Sequence, residues 1–72
     1  MTKKERVLIG ERMKTLRKSA NKMQKEVADF VGVSVAVYSL YETNINEPSL
    51  LTVSKLADYF NVTIDYLVNG KK

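Results

Sequence analysis

The sequence contains neither cysteine nor histidine, and only one proline and three glycines in 72 residues. Without cysteine no disulfide can form, and without both residues the usual zinc ligands, thiol nucleophiles and neutral-pH general bases are missing together. The remaining Ser, Lys, Asp and Glu show no nucleophile-elbow or phosphate-loop spacing, and a chain this short encloses a substrate pocket with difficulty. An enzyme is therefore not expected, and no cofactor or metal is implied. No stretch is long or apolar enough to span a membrane; the longest apolar run is broken by Ser34 and Ser39. Val7, Leu8 and Ile9 give way at once to Gly10 and Glu11, too short a run for the apolar region of a secretory leader. The reading is a cytoplasmic chain without a membrane partner.

A chain of 72 residues makes one domain. A core of that size is marginally stable and commonly needs a disulfide, a metal or a partner subunit. With the first two lacking their residues, a partner subunit is the remaining common route.

The net charge of +4 is unevenly spread. Residues 1–25 hold nine bases and two acids, a local +7, whereas residues 26–72 hold three bases and six acids, a local −3. A basic third joined to a slightly acidic remainder suggests a footprint on a polyanion; a solvated charged helix face is the plainer alternative.

Few Gly or Pro residues interrupt the chain, and its apolar spacing is helical. Ile9, Met13, Leu16 and Ala20 form one stripe on a helix over about residues 5–19, after which Asn21 tolerates the left-handed conformation of a helix end. A second helix over about 24–31 turns Val27, Ala28 and Val31 inward and stops at Gly32, where positive φ costs nothing. Ser34 can cap a third over 34–42. Ser49 caps a fourth over 49–60, carrying Leu50, Leu51, Val53, Leu56, Ala57 and Phe60. Asn61-Val62-Thr63 has the form of a glycosylation acceptor, but a helix stop at Asn61 and a cap at Thr63 for a fifth helix over 63–68 explain the same residues. The expected fold is all-α, a compact five-helix domain.

The second and third helices, joined by a tight glycine turn, have the spacing of a helix-turn-helix. Ala28 is small where the helices cross, and Tyr38 and Tyr41 are placed to anchor the outer helix on the core. On the ordered set IGERMKTLRKSANKMQKEVADFVGVS, YSLYE and NEPSLLTVSKLADYFNVTIDYLVNG, the sequence resembles the phage lambda-repressor/Cro-like helix-turn-helix DNA-binding family. The likeness covers about Ile9 to Gly70, with Arg17, Gln24, Ala28, Gly32 and Ser34 at the family's marked positions.

The resemblance implies a sequence-specific regulator of transcription, a repressor, bound to a double-stranded DNA operator as a two-fold homodimer. It implies a structural ion pair between Arg17 and Glu42. Gln24 would touch phosphate or a base edge at the start of the second helix. Base edges would be met by Ser34, Val35, Ala36, Ser39 and Leu40. Lys22 and Lys25, with Lys14 of the first helix, are natural phosphate partners, and Arg12 and Lys18 add charge there. Dimer contacts would lie near the C-terminal helices, with Ile64, Tyr66, Leu67 and Val68 as candidates, although a core position is the expectation for Ile64 and Leu67. Such a chain is either a Cro-like regulator or the DNA-binding domain of a longer repressor.

Three positions depart from the family pattern. Met23 stands where members carry a Ser or Thr cap, a loss of about 1 kcal/mol, and Asn44 replaces a glycine. The base-facing positions are the third departure, because only Ser34 and Ser39 are polar where members often carry Gln, Arg, Asn or Lys. Val35, Ala36 and Leu40 could pack on thymine methyls, could form a face for a protein partner as in an antitoxin- or inhibitor-like module, or could tilt into the core. Val37 is expected to be partly buried in every case.

Overall fold

In a computed structural model that describes residues 8–70, five helices follow one another: α1 (Gly10–Ser19), α2 (Gln24–Val31), α3 (Val35–Glu42), α4 (Leu50–Phe60) and α5 (Ile64–Asn69). The residues that end them are those whose side chains or backbone freedom suit the task. Ser34, Ser49 and Thr63 each accept, through the side-chain oxygen, a backbone N–H of the first turn of α3, α4 and α5. Gly32 and Asn61 close α2 and α4 in the left-handed conformation, with φ of 83° and 57°. Asn21 takes the same conformation in the α1–α2 turn. Asn61 and Thr63 thus serve as helix stop and helix cap, as the sequence suggested.

The first helix is shorter than its apolar spacing implies. Residues 5–7 of the expected helix lie outside the described residues, and α1 starts only at Gly10, with Ile9 as its N-cap. The reason is a close approach between chain segments. The Gly10 N–H donates to Asn44 Oδ1 (3.0 Å), and a Cβ at Gly10 would collide with the backbone carbonyls of Tyr41 and Glu42. The start of α1 is therefore docked on the end of α3. Asn44 has positive φ (64°) as its tolerance for that conformation suggested, and its side chain also makes the link that holds the two helix ends together.

The core is built from Ile9 and Met13 at the start of α1, Val27, Ala28 and Val31 of α2, Tyr38 and Tyr41 of α3, Val53, Leu56 and Ala57 of α4, and Leu67 of α5. α2 packs on both α3 and α4, α1 on α3, and α4 on α5. Two expected core positions are not there. Ala20, assigned to the apolar stripe of the first helix, is exposed: α1 ends at Ser19, and Ala20 is its C-cap, with its N–H still bonded to the Leu16 carbonyl. Ile64 is 40% exposed, while Leu67, one turn on, is fully buried; a six-residue helix lying on α4 covers only one side of itself. Leu50 and Leu51 also remain exposed on the first turn of α4.

Candidate nucleic-acid interface

The turn between α2 and α3 is drawn in by its backbone. The N–H groups of Gly32 and Val33 both donate to the Ala28 carbonyl, at 2.9 and 3.1 Å. No atom lies within 4 Å of where a Gly32 side chain would sit, so backbone conformation alone calls for glycine there. α3 then leaves the turn with its hydroxyl cap and seats Tyr38 and Tyr41 in the core, their rings edge to face with centroids 6.3 Å apart. Val37 is half-buried against the core, as expected.

This seating fixes which residues look outward. Ser34, Val35 and Ala36 are exposed, Val35 at 46%, and Ser39 and Leu40 are half-buried. The tilt that would carry Val35 and Ala36 into the core is therefore not adopted, because the tyrosines occupy that direction. Leu40 is partly covered where its carbonyl closes the end of α3, accepting the N–H groups of Ile45 and Asn46 at 3.0 and 3.1 Å.

A buried ion pair holds the orientation. Arg17 Nε donates to Glu42 Oε2 at 2.6 Å and Nη2 to Oε1 at 3.1 Å, while Nη1 reaches the Lys22 carbonyl at 2.9 Å. The side chains of Arg17 and Glu42 are only 12% and 3% exposed. One guanidinium thus joins α1, the α1–α2 turn and the end of α3. Burial alone would push the Glu42 carboxyl up, but hydrogen bonds, chiefly from Arg17, outweigh it and hold the group below its usual range. The same contact raises Arg17. The Tyr38 hydroxyl is buried in the neighbourhood of this pair without a hydrogen-bond partner. Its desolvation, with the nearby carboxylate, pushes its pKa far up.

Gln24, expected at phosphate or a base edge, donates Nε2 to Glu42 Oε1 at 3.1 Å and is half-buried. The amide is built into the ion-pair network, with its carbonyl oxygen and second N–H as the groups that chemistry leaves for a ligand. Met23 supplies no side-chain cap; instead the Glu26 carboxylate accepts the Met23 N–H at 2.8 Å. An acid three residues after the cap is half of a capping box, so this signal was present in the sequence and was missed. It places a carboxylate at the end of α2 where a phosphate was expected to bind.

The expected phosphate partners divide. Lys14 and Lys22 are exposed. Lys25 Nζ lies 2.9 Å from Asp29 Oδ2, but both side chains are largely in solvent, and such a pair is readily exchanged. Arg12 is committed within the fold: its Nη1 donates to the Leu67 carbonyl at 2.6 Å and its guanidinium lies 5.8 Å from the centre of the Tyr66 ring. It closes the end of α5, a role that no local spacing reveals.

An all-α domain whose second and third helices form a helix-turn-helix, the third presented outward, belongs to the class of helix-turn-helix modules. The chain is a member of the helix-turn-helix family, whose model matches residues 13–67. It is 38% identical over 63 residues to the SPbeta prophage-derived HTH-type transcriptional regulator YonR of Bacillus subtilis, covering 88% of this chain and 58% of that protein. It is 37% identical over 59 residues to the cryptic phage CTXphi transcriptional repressor RstR of Vibrio cholerae, covering 82% of this chain and 53% of that one. The chain thus spans little more than half the length of these curated relatives. Its fold matches a crystal structure of the P22 c2 repressor in complex with synthetic operator 9T, with a TM-score of 0.83 and 31% identity over 89% of this chain and 97% of that one.

Proposed function

We propose that this chain is a single helix-turn-helix domain acting as a sequence-specific regulator of transcription, a repressor, that lays α3 in the major groove of a double-stranded DNA operator. The observation that carries this reading is the seating of α3. Buried Tyr38 and Tyr41 and the Arg17–Glu42 pair hold it so that Ser34, Val35 and Ala36 are exposed along one side, with Ser39 and Leu40 half-exposed. Base edges are read by this row, in large part through thymine methyls, with Gln24 beside it. Lys14, Lys22 and Lys25 contact phosphates. The names of the similar proteins, a prophage regulator and phage repressors, and the operator-bound P22 c2 structure support the same reading.

The protein acts as a homodimer in the cytoplasm. No helix among the described residues is long and apolar enough to cross a membrane. Exposed Ile64 and half-buried Tyr66 and Val68 of α5 are the dimer candidates, and Leu67, fully buried in its own subunit, drops out.

The test is selection of bound sites from a randomised duplex pool, with affinity followed over a salt series. A two-fold motif with thymines at the half-site centres and steep salt dependence is expected. Absence of binding at low salt would remove the DNA reading and make the apolar side of α3 a protein-binding face.

A further inference from the structure

Among the described residues, three side-chain donors converge on the carboxylate of Glu42, and a fourth stands beside it unused. Oε2 is held by Arg17 Nε at 2.6 Å, whereas Oε1 is shared by Arg17 Nη2 and Gln24 Nε2, each at 3.1 Å. The bonds to Oε1 are thus the longer ones. Of their two donors only the Gln24 amide is able to leave, because the guanidinium is also tied through Nε and through Nη1 on the Lys22 carbonyl. Gln24 opens α2 and is only half-buried.

The unused donor is the Tyr38 hydroxyl. Tyr38 lies four residues before Glu42 on α3, so the two side chains share one face of the helix. The residue is wholly buried, and its oxygen has no hydrogen-bond partner among the described residues. Hydroxyl and carboxylate are near enough to shift each other's pKa, and the hydroxyl, pushed far up, keeps its proton and remains a donor. A buried hydroxyl without a partner is costly, and such a group calls for an explanation. The carboxylate beside it has about four acceptor sites, and three are filled.

We propose that Tyr38 is a positioning residue for Gln24, acting through Glu42: when the Gln24 amide turns to an acceptor on DNA, the Tyr38 hydroxyl donates to the carboxylate it leaves. In the free protein the amide has one N–H and its carbonyl to offer. Released, it presents both N–H groups to a phosphate or a base acceptor. The buried carboxylate keeps three donors throughout, so the release strands no charge. Arg17 stays in place, and α3 keeps its orientation. The exchange rests on the DNA reading above and adds to it a residue that touches no DNA.

The test is a cycle of Tyr38→Phe and Gln24→Ala, singly and together, on a duplex recovered by the site selection, at one salt concentration. Tyr38→Phe is expected to weaken binding by about tenfold, the lower end for a hydrogen bond to a charged group. With Gln24 already replaced, the same change should cost less than about twofold. A hydroxyl that only supports the fold would weaken both backgrounds equally, and urea unfolding of the free variants measures that share. The parent protein gives a second readout that needs no substitution. With the Tyr38 ring carbon that bears the hydroxyl labelled with 13C, its NMR signal should shift when duplex is added, as the hydroxyl begins to donate. Equal losses in the two backgrounds, no loss from Tyr38→Phe, or an unmoved signal in the bound parent each overturns the exchange and leaves the DNA reading standing. A parent that retains no duplex at low salt overturns the DNA reading and the exchange together.

Discussion

Arg17 and Glu42 meet through two hydrogen bonds, of 2.6 and 3.1 Å, in a site almost closed to water. The pair joins the last turn of α1 to the last residue of α3 across 25 positions of sequence. Gln24 adds a third donor to the same carboxylate. The orientation of the proposed reading helix is thus set at its far end by a charge that lies off its exposed side.

Removing one member of this pair strands the other in a desolvated site, which costs about 3–5 kcal/mol. Glu42→Ala is expected to lose stability of that order in equilibrium urea unfolding, and Arg17→Met nearly as much. The double variant Arg17→Met with Glu42→Leu should recover a good part of the loss, because no unpaired charge remains. Additive losses would show that the pair is not the coupled, buried unit described.

The carboxyl of Glu42 is held below its ordinary value of 4.5. A group depressed on folding contributes stability that is fully present above its unfolded pKa and is lost as pH falls through the folded one. Stability should therefore drop below about pH 4.5, and Glu42→Gln should flatten that part of the acid limb. The Tyr38 hydroxyl is shifted upward from 10.0, so its contribution is intact below that pH and declines as pH rises above it. Since this hydroxyl is buried without a partner, Tyr38→Phe is expected to stay within about 1 kcal/mol of the parent at neutral pH and to lose less at alkaline pH. A loss of several kcal/mol in Tyr38→Phe would mean that the hydroxyl does have a partner.

The helices were legible from local chemistry, because caps such as Ser34, Ser49 and Thr63 and stops such as Gly32 and Asn61 act within a few residues of themselves. The inward residues of α2 and α3 were legible from spacing. What escaped was decided across the chain. Gly10 starts α1 because of carbonyls in α3, Arg12 closes α5, and one N–H of the Gln24 amide is given to Glu42. Ile64 had the composition of a core residue, and only the placement of a short helix leaves it in solvent. The sequence named Lys22 as a phosphate partner and Arg12 as further charge beside it, and the fold separates the two, leaving Lys22 exposed and Arg12 engaged.

That separation gives a paired prediction. Lys22→Ala should weaken binding to every DNA sequence and lower the slope of log affinity against log salt by about 1, with little change in stability. Arg12→Ala should do the reverse. It loses a charge-assisted bond to a helix carbonyl, lowering stability by about 1–2 kcal/mol, and leaves the salt slope intact. Urea unfolding and a salt series on both variants check the pair, and a flattened slope in Arg12→Ala would return that guanidinium to the DNA side.

Val35 offers the sharpest test of an α3 that carries no long polar side chain on its exposed row. It is 46% exposed on the first turn of the helix, so its replacement costs the core little, whereas Leu40 is half-buried and its loss would mix stability with recognition. If Val35 packs on a thymine methyl, Val35→Ser should reduce discrimination at one base position by about 1–3 kcal/mol. Replacing that thymine with uracil removes only the methyl group and should weaken the parent by a similar amount. The two changes made together should lose scarcely more than either alone, since they delete the same contact from opposite sides. Affinities of parent and variant for selected and uracil-containing duplexes, at one salt concentration, supply the cycle. Full additivity would place Val35 away from the methyl and leave its base position to Ser34, Gln24 or the shape of the duplex.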